Sequence, residues 1–179
     1  MTHSYATPTY VTLAGTILAT LAASGCAGPK SAPGQPPGGF PDLPAALRNT
    51  PGCLGVETAR TSSGKNVIFA WFENKKAVEN WYYSKLHRES MRTFFPGAGA
   101  GKPLEGIPDD AGPILTIASI TFSQNPTFAE TNLPISQIAI ELYTPMKGGI
   151  FLGETFAPKG MKVPDMQNYT PAAAAASMK

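Results

Sequence analysis

Glycine and proline punctuate this chain, and their placement limits how much of it can fold. There are 18 of each among 179 residues. They gather between residues 27 and 39 and again between 96 and 101. Neither stretch has an apolar period, and such runs join folded pieces rather than forming them. Near the end, Thr170-Pro171 is followed by five alanines, too few for a stable helix on their own. The remainder, residues 41–167, has the size of one ordinary domain, with residues 168–179 expected as a disordered tail. Apolar residues make up 42% of the chain, enough for a core. A net charge of +2 argues against a nucleic-acid binder. The two cysteines are too few for a cysteine-only zinc site, and no other metal-ligand spacing occurs. Neither a metal nor another cofactor is expected.

Residues 1–25 hold no Lys, Arg, Asp or Glu, and residues 11–23 form a 13-residue, mostly apolar run. A membrane-spanning helix needs about 20 residues, whereas the apolar part of a secretory signal runs about 7–15. The run ends in Leu21-Ala22-Ala23-Ser24-Gly25-Cys26. This resembles a bacterial lipoprotein signal, in which small residues precede a cysteine that is lipidated and becomes the new N-terminus. The resemblance implies a signal peptide at 1–25, lipidation of Cys26, and a Pro/Gly tether over 26–40. The protein would then sit in the bacterial cell envelope, with the membrane as its partner through the lipid. The other reading is plain cleavage near Ala23, which gives a secreted or periplasmic protein. An acylated Cys26 leaves Cys53 without a disulfide partner.

Within the folded unit, residues 41–48 suit a short helix ended by Asn49-Thr50-Pro51-Gly52. Residues 53–60 alternate as a strand, with Leu54, Val56 and Thr58 on one face and Glu57 on the other. Residues 66–72 are apolar on both faces, as a central strand requires. Asn74 is a good N-cap, and the wheel breaks at Ser84, which can cap a second helix. In that helix His87, Ser90, Met91 and Phe94 follow the i, i+3, i+4, i+7 spacing, so His87 lies on the more apolar side. Residues 114–122, 135–143 and 149–156 read as three further strands. The order helix, strand, strand, helix, then three strands predicts an α+β sandwich with helices on one face of an antiparallel sheet.

Residues 51–91 carry a second resemblance. Pro51-Gly52-Cys53-Leu54-Gly55-Val56-Glu57 looks like a strand entry, and residues 67–74 like a strand running into a helix. Residues 81–88 hold a Trp81, Ser84, His87, Arg88 pattern at a helix break. Together these are similar to the antibiotic biosynthesis monooxygenase-like group of the dimeric α/β-barrel superfamily. The resemblance implies a ferredoxin-like sheet and a homodimer. The tether stands where that family has its first strand, so Ile135 to Tyr143 is expected to replace it in a permuted order. Residues 124–167 then form an extension with added strand.

The same resemblance implies that the helix break borders a cavity for a small aromatic ligand. His87 is the candidate base or orienter there, since a neutral imidazole can hold a phenol or take its proton. Glu57 and Glu141 are candidate partners in an acid/base cluster. Trp71, Trp81, Tyr82 and Tyr143 are candidate walls for a planar ligand. Each has a plainer reading too. His87 can fix the kink through a backbone carbonyl, the glutamates can face solvent, and the aromatics can be core or interface. Two functions follow: an envelope lipoprotein that binds a small planar organic molecule, or a non-catalytic one that uses the fold for dimerisation or protein contact. If the protein is an enzyme, the resemblance implies a cofactor-independent monooxygenase.

Overall fold

The computed structural model describes residues 40–97, 101–123, 125, 128, 131 and 133–171. The signal peptide, Cys26, the tether through residue 39 and the Ala-rich tail from residue 172 lie outside the described residues.

Helix α1 (Leu43–Arg48) starts where Asp42 accepts the Ala45 N–H at 3.0 Å, with Pro44 in the first turn. Gly52 then turns the chain at φ 82°, and a Cβ there would come within 2.5 Å of the Ala77 Cβ. Both the backbone angle and the close approach therefore require glycine. Strands β1 (Cys53–Arg60) and β2 (Asn66–Phe72) pair antiparallel across the 61–65 loop. Asn74 caps α2 (Lys75–Tyr82) by accepting from Ala77 N–H, and Ser84 caps α3 (Lys85–Phe94) by accepting from His87 N–H. After a loop, β3 (Ile114–Phe122) returns antiparallel beside β2, and β4 (Ile135–Tyr143) pairs with β3.

The result is an α+β fold with a four-stranded antiparallel sheet in chain order, β1-β2-β3-β4. The place beside β2 belongs to β3, and Ile135–Tyr143 is the outer strand. One sheet face carries Ile68, Ala70, Thr116, Ala118, Ile138 and Leu142, which the three helices overlie. Phe72, Ile114 and Ile135 are the largest fully buried side chains, each contributing about 1.5–3 kcal/mol by leaving water.

The extension after β4 departs from expectation. Residues 149–156 do not form a full strand. Only β5 (Ile150–Phe151) pairs, in parallel, with β6 (Gln167–Asn168), apart from the main sheet. Gly148, Gly149 and Gly153 take φ of 99°, 106° and 78°, which an extended strand does not allow. β6 ends at Asn168. The extension crosses the other sheet face. The Phe156 ring meets Trp71 edge-on at 5.1 Å and Phe69 at 5.3 Å, while Pro158 lies over Gly55.

Candidate functional site

An apolar cavity of about 180 Å³ lies between the helices and the sheet. Leu43 and Leu47 of α1, Val78, Trp81 and Tyr82 of α2, and His87, Ser90, Met91 and Phe94 of α3 form its roof. Ile68 and Ala70 of β2, Thr116, Ala118 and Ile120 of β3, and Ile138, Ile140 and Leu142 of β4 form its floor. Ile140, 54% exposed, stands at the rim. Among the described residues, no Asp, Glu, Lys or Arg lines the cavity.

His87 is placed by the break between α2 and α3. Ser84 caps α3 and fixes the backbone of His87, three residues on. Its Nδ1 lies 2.9 Å from the Tyr82 carbonyl, the last residue of α2. A carbonyl can only accept, so Nδ1 carries the proton and Nε2 the lone pair. The imidazole packs 5.3 Å from the Trp81 ring and 5.2 Å from the Tyr82 ring. Burial pushes its pKa below the ordinary imidazole value, and the hydrogen bond to Tyr82 opposes that only in part. The ring is 8% exposed and neutral at pH 7.

The structure brings His87, Trp81 and Tyr82 together at this cavity and separates the other candidates from it. Glu57, Phe69, Ile117 and Glu141 form one row across the opposite sheet face. The two glutamates are three strand spacings apart, about 14 Å, and the sheet stands between both and His87. The expected acid/base cluster of His87, Glu57 and Glu141 therefore does not form. Glu57 instead borders a cleft with Glu154, Phe156 and Lys159 of the extension. Trp71, 3% exposed, is core on that same face beneath Phe156. Tyr143 also faces that way and donates its hydroxyl to Glu141, which raises the tyrosine pKa. Neither is a wall of the cavity.

Thr116, Leu104 and Phe40 line the cavity without having been singled out as ligand contacts. The helical spacing from His87 to Phe94 signals Ser90, Met91 and Phe94; the loop that brings Leu104 in has no period to read. A wider cleft of about 560 Å³ adjoins the cavity, sharing Phe40, Leu43, Ile68, Ala118 and Ile120. Asn66 lines it, and its Nδ2 is the buried side-chain polar atom without a hydrogen-bond partner among the described residues. Cys53 is half-buried and donates weakly to the Gly55 carbonyl; burial pushes its thiol pKa up, so it stays a thiol. Among the described residues, no three His, Cys, Asp or Glu side chains converge, and no helix is long and apolar enough to cross a membrane.

A dry engineered cavity of about 150 Å³ holds benzene, so this space suits one aromatic ring. No protein-family model, curated protein or solved structure matches this chain.

Proposed function

We propose that this protein is an envelope-anchored lipoprotein whose domain binds a small planar organic molecule between its helices and its sheet. The single observation that carries this is the apolar cavity with one neutral imidazole on its wall. A cavity that is apolar but for a few placed polar groups is the common form of a small-molecule site. The antibiotic biosynthesis monooxygenase-like resemblance of residues 51–91, a ferredoxin-like sheet and lipidation of Cys26 belong to the same reading. The four-stranded antiparallel sheet under helices supports it.

Binding, rather than acid/base catalysis, is the role favoured. His87 is tied to a backbone carbonyl, and among the described residues no carboxylate shares its cavity. The test is a set of thermal melts with mono- and bicyclic quinols, run beside His87→Ala. A ligand-specific rise in melting temperature that vanishes in the variant supports the reading. No rise with any ligand contradicts it.

One observation favours protein contact as a second role. Met146, Ile150, Leu152 and Tyr169 of the extension are exposed large apolar side chains. A homodimer formed sheet to sheet would have to share its face with Phe156 and Pro158, so a dimer through these exposed residues is the better form of that role.

A further inference from the structure

Polar groups on a cavity wall decide which charge state of a ligand can enter. Here the lining hydroxyls already donate to the protein. Thr116 Oγ1 donates to the Ala70 carbonyl at 3.2 Å, and Ser90 Oγ donates to the Leu86 carbonyl at 2.8 Å. The Tyr82 hydroxyl donates to the Gly101 carbonyl at 3.5 Å. His87 Nδ1 donates to Tyr82, which leaves the Nε2 lone pair without a protein donor among the described residues. Trp81 lines the same wall and brings a single neutral N–H as its polar group. Among the described residues, His87 and Tyr82 are the only titratable groups of α1, α2, α3, β2, β3, β4 and the loop at Leu104 that line this space.

An anion in such a space would lose its hydration and meet no cation. Burying an unpaired charge costs several kcal/mol, far more than one neutral N–H returns. An uncharged donor meets the opposite situation, because an acceptor stands ready for it.

We propose that the cavity takes an uncharged, single-ring molecule with one hydroxyl or N–H group, held by His87 Nε2 as acceptor, and leaves that proton on the ligand. This rests on the ligand-binding reading above and narrows it. Carboxylates, sulfonates and phenolates are excluded as ligands. Ionising a bound phenol would place an imidazolium and a phenolate against a wall with no counter-charge. Burial already holds the His87 pKa down, which works against accepting that proton.

The test uses the full chain with three probes: toluene, p-cresol and 4-nitrophenol. Toluene and p-cresol share a ring and a methyl group and differ by the hydroxyl. Calorimetry is expected to show p-cresol binding about 3- to 10-fold more tightly, the value of one hydrogen bond. With 4-nitrophenol, buffered near its own pKa, added protein is expected to weaken the yellow phenolate band as the neutral phenol is withdrawn. A phenolate band that grows or shifts on binding overturns the inference, as does equal affinity for toluene and p-cresol. Failure of all three to bind overturns the ligand-binding reading itself. None of these comparisons needs a variant to fold.

Discussion

His87 joins fold and site in one side chain. It lies in the first turn of α3, holds α3 to α2 through the Tyr82 carbonyl, and lines the cavity. Its burial has a consequence for stability. The folded ring has a pKa below its ordinary value of 6.5, so the unfolded chain takes up a proton there first. That contribution to stability is fully present above about pH 6.5 and is lost as pH falls towards the folded pKa. Thermal melts from about pH 8 to about pH 5 should show this loss, and His87→Gln should show less of it. Equal pH dependence in the two proteins would mean the ring is not buried as described. Gly52 supplies a second residue-scale prediction. Gly52→Ala should cost about 1–3 kcal/mol in chemical denaturation, because the new methyl meets Ala77 and the turn needs positive φ. The polar caps and the glycine turn were legible in the sequence, because each acts through its nearest neighbours. The partners of the glutamates were not, because they depend on what covers each face of the sheet.

The elements follow from short-range rules, and the break between α2 and α3 matters most to the site. Ser84 ends one helix and caps the next, so the chain turns just before His87. Ser84→Ala should destabilise the protein by about 1 kcal/mol. It should also weaken ligand binding, since the freed turn no longer aims the imidazole; unchanged affinity by calorimetry would show that the cap is dispensable to the site. The two helices and four main strands were readable from capping residues and periodicity. Strand alternation also set Glu57 and Glu141 apart from the most apolar positions. It did not show that the helices cover the Val56 and Ile138 side, because β2 and β3 are apolar on both faces. Residues 149–156 misled for a related reason. Their composition is that of a strand, but glycines at positive φ bend the chain away from one.

At the scale of the molecule, one sheet separates two layers of unlike origin. Helices and an apolar cavity lie on one side; a loosely structured C-terminal extension crosses the other. Phe156 connects that extension to Trp71 while remaining 66% exposed itself. Phe156→Ala should therefore cost only about 1 kcal/mol, yet shift Trp71 emission to the red as water reaches the indole. An unshifted spectrum would mean that other residues cover Trp71. The extension was the least legible part of the chain, since its residues pack by shape and not by period. The proposed function turns on occupation of the cavity on the helix side. Crystals soaked with 4-bromophenol test it directly, through the anomalous signal of bromine. One bromine peak is expected between α3 and the sheet, with the phenol oxygen within hydrogen-bond distance of His87 Nε2. Bromine found only on the surface or along the extension, with the cavity empty, would contradict it.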